Sequence, residues 1–302
     1  MQDSPFPRPL VVGIDVGGTK THLRACAGDD PIADHVRPSS GWRPHDPVAA
    51  ADWLAALVTG ALPADTLPSA VAVGGHACET PRQCEGIRSV LQERLGVPCL
   101  VVGDAELLVP AAGLDKGVGL VAGTGSVAVG RRSDGTLVQV GGWGAVLGDE
   151  GGAAGLVREA ARAVWAAHDR GEAPDALAAG LISAFGVGEV PALGAALESA
   201  TDVSAEWGRH SPVVFEAAER GSLIAEEVIA EGGRSLASLV VRLAGRGVAV
   251  DDVVVSGGTV LAQPALHDAL LASLAILVPG ARLRPLRVAP VTGAVALARS
   301  LV

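Results

Sequence analysis

Apolar positions along this chain keep two alternating rhythms. Residues 9–16, PLVVGIDV, form a nearly continuous apolar run that reads as a buried strand. GGTK then turns the chain into THLRACA, where Leu23, Ala25 and Ala27 alternate with His22, Arg24 and Cys26 at the two-residue period of a second strand. Another turn, GDD, leads towards a third strand near 32–36, so the opening is a meander of β-hairpins. HDPVAAADWLAALVTGAL has helical spacing, SAVAVGG is a short buried strand, PRQCEGIRSVLQERLG is an amphipathic helix opened by a proline, and PCLVVGD is a further strand. This alternation predicts an α/β architecture.

The pattern then restarts. KGVGLVAG, the turn TGS, VAVGRR, the turn SDG and TLVQVGG make a second meander, followed by mostly helical sequence from about 151 to 245. DDVVVSGG and RLRPLRVA supply late strands, and VTGAVALARSLV a closing helix. Two copies of one layout predict two similar domains with a cleft between them. Residues 1–108, completed by the closing helix at 290–302, form the first, and residues 109–289 the second.

Composition narrows the possible partners. The 302 residues are 49% hydrophobic and 19% charged, which suits a packed core, and the formal charge of -10 argues against nucleic acid or an anionic membrane as partner. Cys26, Cys78, Cys84 and Cys99 show neither a CxxC pair nor accompanying histidines, so buried or half-buried free thiols are expected and not a zinc site or a disulfide framework. MQDSPFPRPL lacks the basic-then-apolar order of a leader, and no run of about 18 apolar residues follows. A soluble cytoplasmic protein is expected.

The chemistry concentrates at glycine loops. In VVGIDVGGTKT, Gly13 and Gly18 have Walker A spacing, but Thr19 intervenes before Lys20 and the chain continues as a strand. A dinucleotide fingerprint fails too, since no GxGxxG precedes a helix. What remains is a hairpin turn in which Gly17 and Gly18 leave the backbone amides open to phosphate oxygens, with Asp15 placed to hold the water shell of a Mg²⁺ ion. Gly123, Thr124, Gly125 and Ser126 form the matching turn of the second meander.

In these motifs the sequence resembles the superfamily of sugar kinases and actin-like ATPases. GIDVGGTKT and AGTGS are similar to its two phosphate motifs, and VVVSGGTVLAQPAL to its adenosine motif, with Gly257 and Gly258 against the nucleotide. GDAELLVPAA, GLVAGTGSVAVG and above all GGWGAVLGDEGG resemble the BadF/BadG/BcrA/BcrD ATPase group, specifically its N-acetylglucosamine kinase branch. The resemblance runs in order along essentially the whole chain. It implies a two-domain ribonuclease H-like fold, ATP and Mg²⁺ as cofactors, a small sugar as substrate, and a homodimer. N-acetylglucosamine phosphorylated at O6 is the implied reaction, with glucosamine or N-acetylmuramic acid as alternatives.

Asp104 can cap the helix that follows it. The resemblance makes it the general base that takes the proton of the sugar hydroxyl. Asp149 and Glu150 can complement a helix N-terminus. The resemblance places both in the sugar site, where Asp149 accepts from sugar hydroxyls and Gly141, Gly142 and Trp143 contribute backbone contacts; Trp143 can equally be core. Thr19 and Lys20 belong to the phosphate turn, where Lys20 can equally be a solvated turn lysine. His76 is the one histidine near the presumed cleft; the other histidines read as structural or surface residues. The family's usual sugar-contacting asparagine is missing: Ser39, Ser40, Gly41 and Trp42 occupy that region, and the sequence contains no asparagine. Two rivals share the fold. The iron–sulfur ATPase activators need cysteines after the second phosphate loop, but all four here precede Gly103. A non-catalytic sugar-binding protein or regulator lacks support from any helix-turn-helix extension or cysteine-rich zinc motif.

Overall fold

The computed structural model describes residues 8–78 and 80–302; positions 1–7, on which most of the leader reading falls, and Glu79 lie outside the described residues. The chain divides into two compact units, Met1–Lys116 with Leu286–Val302, and Gly117–Pro285.

In the first unit, β1 (Leu10–Val16), β2 (Lys20–Ala27) and β3 (Asp30–Pro38) form the meander, followed by α1 (Pro47–Ala61), β4 (Ala70–Gly75), α2 (Pro81–Leu95) and β5 (Cys99–Gly103). A short 3-10 turn, Asp104–Leu107, runs into α3 (Leu108–Ala111). The second unit repeats the meander as β6 (Val118–Ala122), β7 (Ser126–Arg131) and β8 (Leu137–Gly141). Its helices are α4 (Gly144–Leu147), α5 (Ala153–Asp169), α6 (Ala176–Phe185), α7 (Leu193–Glu198), α8 (Val203–Gly208), α9 (Pro212–Glu219) and α10 (Leu223–Gly245). Then come β9 (Asp252–Ser256), α11 (Gly258–Ala262), α12 (Pro264–Leu277) and β10 (Arg282–Pro285), and α13 (Val291–Arg299) returns to the first unit.

The two sheets have one topology. Their orders are β3-β2-β1-β4-β5 and β8-β7-β6-β9-β10, each an antiparallel meander extended by two parallel strands. The repeated layout in the sequence is therefore a structural duplication.

Helix boundaries follow local chemistry. Asp46 caps α1 by accepting from the Val48 and Ala49 amides, and Thr80 caps α2 by accepting from Gln83 N; a proline occupies the first turn of each. Gly96 ends α2 at φ 69°, donating to Gln92 O.

The first sheet is covered on both faces. Leu10, Val12 and Ile14 pack with Leu54 and Val58 of α1 and Ile87 and Leu91 of α2, while Val11 meets Val295 and Ala298 of α13. Cys26, placed on the polar side of β2 by its alternation, is therefore buried: α13 supplies a second apolar layer from the far end of the sequence. This approach is close, since a Cβ on Gly13 would stand 2.4 Å from Val295 N. In the second unit Val118 and Leu120 share one core with Leu156 and Ala160 of α5 and Leu236, Val240 and Leu243 of α10. No single helix among the described residues is long and apolar enough to cross a membrane.

Candidate active site

The first glycine turn is closed by Gly17 N donating to Lys20 O at 2.9 Å, and steadied by Ser39 N donating to Thr19 O at 3.0 Å. Neither Gly17 nor Gly18 has a positive φ, so glycine here provides clearance and not an unusual backbone angle. A Cβ on Gly17 would lie 3.1 Å from Lys20 O, and one on Gly18 3.6 Å from the His76 ring. Lys20 opens β2 with its side chain exposed.

Asp15 is the one residue of β1 that is not buried. Burial, then the neighbouring Asp104 charge, pushes its carboxyl up to about 7. Asp104 follows β5, and β5 pairs in parallel with β4, which itself pairs with β1; this register brings the strand ends carrying Asp15, His76 and Asp104 together. Asp104 Oδ1 accepts from Ala105 N at 2.8 Å, and Oδ2 lies 3.4 Å from His76 Nδ1. The carboxylate reaching back across the 3-10 turn is that of Glu106, which accepts from Gly103 N at 3.1 Å.

Three of the four residues at 39–42 are committed to packing. Ser39 is buried with its hydroxyl 2.8 Å from that of Thr21, and a Cβ on Gly41 would run into Trp53. Trp42 is buried, tilted against Trp53 with ring centroids 6.1 Å apart, and donates from Nε1 to His76 O at 2.8 Å. Ser40 is exposed. All four cysteines are free, and all belong to the first unit.

In the second unit three segments distant in sequence meet at one hairpin. Gly123 N donates to Gly125 O across the turn; Ala153 N and Ala154 N, opening α5, donate to Gly123 O and Thr124 O at 2.9 and 3.1 Å. From the other side Thr259 Oγ1 donates to Gly123 O at 2.7 Å. Gly257 makes this possible: its φ is 116°, and a Cβ there would stand 2.4 Å from the Ala122 carbonyl. Gly258 is open, with nothing within 4 Å of a Cβ. Thr259 stands inside the VVVSGGTVLAQPAL segment, and its supporting role emerges only when that loop is seen beside the hairpin.

Asp149 sits beneath the same turn. It is buried, with a φ of 58°, and its Oδ1 accepts from Ser126 N at 3.3 Å; Ser126 Oγ donates to Glu150 O at 2.8 Å. Burial pushes the Asp149 carboxyl up, opposed by the Ser126 amide. The carboxylate thus faces the hairpin at 123–126. Gly141 is buried, and Gly142 N is taken by Ser126 O at 2.9 Å. Trp143 is not core: it is 76% exposed, as are Val146 and Leu147 at 62% and 83%. They border an open depression completed by Asp202 and Ser204 at the start of α8.

Comparison with known proteins agrees with these motifs. A curated N-acetylmuramic acid/N-acetylglucosamine kinase of Clostridium acetobutylicum is 30% identical over 172 residues, covering 54% of this chain and 56% of that protein; the match thus spans little more than half of the relative's length. The structure of a candidate N-acetylglucosamine kinase from Chromobacterium violaceum superposes with a TM-score of 0.70 at 25% identity, covering 96% of this chain and 99% of that one. A ROK family glucokinase from Streptomyces griseus, in complex with glucose and AMPPNP, shares the fold at a TM-score of 0.56 and 18% identity, over 97% of this chain and 99% of that one. The sequence model of one family matches residues 100–298, about two-thirds of the chain, and the protein accordingly belongs to the BadF/BadG/BcrA/BcrD ATPase family.

Proposed function

We propose that the protein is an ATP-dependent sugar kinase acting on an amino sugar or related hexose, with O6 of N-acetylglucosamine as the leading acceptor and glucosamine or N-acetylmuramic acid as alternatives. The observation carrying this reading is the meeting of the GTGS, GDEGG and SGGT segments at one hairpin, which gives its amides a rigid backing suited to phosphate oxygens. The names of the Clostridium and Chromobacterium proteins support the amino-sugar class.

In this reading Asp104 takes the proton from the sugar hydroxyl as its oxygen bonds to the γ-phosphorus; the bond from that phosphorus to the bridging oxygen breaks, and ADP leaves. The turns at Gly17–Lys20 and Gly123–Ser126 hold phosphate oxygens, and Gly257 and Gly258 flank the nucleotide. The backbone of Gly141, Gly142 and Trp143 contacts the sugar or its amide, and the exposure of the Trp143 side chain is compatible with a place at the rim of that site. Asp149 contributes by fixing the second turn and Glu150 through the carbonyl that holds Ser126, while a direct sugar contact by either carboxylate remains part of the proposal.

Magnesium fits the donor set. Among the described residues no three His, Cys, Asp or Glu side chains form a metal cage. Mg²⁺ commonly uses one or two carboxylates together with water and substrate phosphates. Asp15, whose ionised form is disfavoured by burial and by Asp104, is the residue that would hold the ion's water shell. When bound, the ion would neutralise phosphate charge. Mg²⁺, a homodimer and a cytoplasmic setting complete the proposal and rest on the family resemblance.

ADP release measured across hexoses, amino sugars and N-acetylated sugars tests the function directly. Turnover highest with an amino sugar is expected, and no sugar-stimulated release would refute it. Gly125→Ala tests the hairpin: the new Cβ would stand 2.5 Å from Asp149 Oδ2, and that carboxylate is held by Ser126 N. A displaced turn should lower kcat/KM for ATP by roughly 10- to 100-fold, with an overpacking loss of about 1–3 kcal/mol in stability, so the kinetics are read below the melting temperature. Unchanged ATP kinetics would detach the hairpin from nucleotide binding.

A further inference from the structure

The turn after β4 is held more firmly than a connection requires. His76 N donates to Val16 O at 2.7 Å, Trp42 Nε1 donates to the His76 carbonyl at 2.8 Å, and Gln83 Nε2 donates to the Ala77 carbonyl at 2.9 Å. Ala77 has a φ of 60°, a left-handed conformation that a non-glycine residue keeps only where its surroundings impose it. These contacts fix the backbone from which the His76 ring projects. The ring itself is not core, because 57% of the side chain is exposed. One edge, Nδ1, lies 3.4 Å from Asp104 Oδ2; the other, Cδ2 and Nε2, faces Gly18 of the first phosphate turn.

We propose that His76 is a positioning residue for Asp104, its Nδ1–H holding Oδ2 while Ala105 N holds Oδ1. The proposal rests on the kinase reading of Asp104. A carboxylate anchored at one oxygen can still swing about its last side-chain torsion. A second anchor on the other oxygen fixes its plane and leaves the remaining lone pairs aimed in one direction. The separation of 3.4 Å is long for a hydrogen bond, as contacts of catalytic groups often are before substrate arrives. Connecting the base to the turn beneath Gly18 also ties the position of the proton acceptor to that of the phosphate site within one unit. Neither link is visible in the sequence, where 28 positions separate His76 from Asp104.

Three substitutions separate the two edges of the ring. An asparagine amide can reach the Nδ1 position, a glutamine amide the Nε2 position, and alanine neither. His76→Ala should lower kcat about 10-fold, a fraction of the roughly 10²–10⁴-fold available to a general base, with the sugar KM and melting temperature nearly unchanged. His76→Asn should recover most of the loss and His76→Gln little of it. Wild-type kcat in His76→Ala, or equal recovery by Gln and Asn, would overturn the proposal. A second measurement is independent of turnover: the imidazole ¹⁵N shifts at about pH 8.5, where histidine is ordinarily neutral, should report a proton on Nδ1 in the wild type and its redistribution in Asp104→Asn. Identical ring spectra in the two proteins would refute the contact. If the wild type phosphorylates no sugar, the kinase reading fails, and the spectra still decide whether His76 holds Asp104.

Discussion

Asp104→Asn should lower kcat by roughly 10²–10⁴-fold, the usual share of a general base, while nucleotide affinity stays within about twofold. The substitution isolates basicity because the amide keeps the shape of the carboxyl group. Its oxygen can still accept from Ala105 N, so the 3-10 turn at Asp104–Leu107 stays capped, and Glu106 still reaches Gly103 N. The negative charge and the capacity to take a proton disappear, and the amide NH2 now faces His76 Nδ1 in place of the accepting Oδ2; His76→Ala measures that second loss by itself. ADP release measures the first effect, and calorimetric titration with a non-hydrolysable ATP analogue the second. A variant that turns over at the wild-type rate would remove Asp104 from the chemistry. Loss of nucleotide binding alongside turnover would instead indicate an electrostatic role at the phosphates. The same variant changes Asp15: burial is the larger cause of its raised carboxyl pKa and the Asp104 charge the smaller. The value should therefore fall below about 7 yet stay above that of an ordinary aspartate, as followed by carbon-detected NMR titration.

The duplicated layout was legible because each element carries its own period: alternation in THLRACA, prolines and caps at Asp46 and Thr80, and glycine turns at matching places in both meanders. Asp104 was legible as a carboxylate ending a strand. What local pattern could not supply was the identity of each side chain's neighbours. Cys26 is the buried thiol expected, but the element that buries it, α13, arrives from the far end of the sequence and covers the side of the sheet that its alternation with Leu23 and Ala25 leaves unassigned. Asp149 reads in the sequence as a helix-terminus charge or a sugar contact, yet its backbone turns at positive φ and its carboxylate points under a hairpin more than 20 residues earlier. Trp143 was ambiguous because a lone tryptophan is compatible with core or surface; its flanking glycines turn the chain outward, Gly142 at φ 78° and Gly144 at φ 80°. The missing asparagine was a correct observation, and the structure adds that Ser39, Gly41 and Trp42 are committed to packing at that place.

Gly293→Ala should destabilise the first unit, although alanine is ordinarily the better helix residue by about 1 kcal/mol. Gly293 lies in α13 where that helix crosses the backbone from the last residue of the 3-10 turn to the last of α3: a Cβ would stand 2.0 Å from Leu107 O and 2.9 Å from Ala111 N. Backbone atoms cannot rotate aside as a side chain can, so the helix must lift. Lifting it separates Ala294 from Val102 and Leu107, and Val295 from Val11. Overpacking of this kind costs about 1–3 kcal/mol and occasionally more; with several contacts loosened together, a net loss near 2 kcal/mol is expected after the propensity gain. For a unit of this size that lowers the melting temperature by roughly 4–8 °C, measurable by circular dichroism or calorimetry. Gly60→Ala is the matched control, a glycine in α1 with nothing within 4 Å of the added methyl, and it should be neutral or slightly stabilising. The effect should reach the chemistry as well if Asp104 is the base proposed, because Leu107 closes the 3-10 turn that Asp104 opens, and a displaced turn moves its carboxylate. Below its melting temperature Gly293→Ala should therefore show reduced kcat, and Gly60→Ala none. Equal stability and equal turnover in the two variants would mean that α13 does not press on this turn, and that the tail of the chain has no part in placing Asp104.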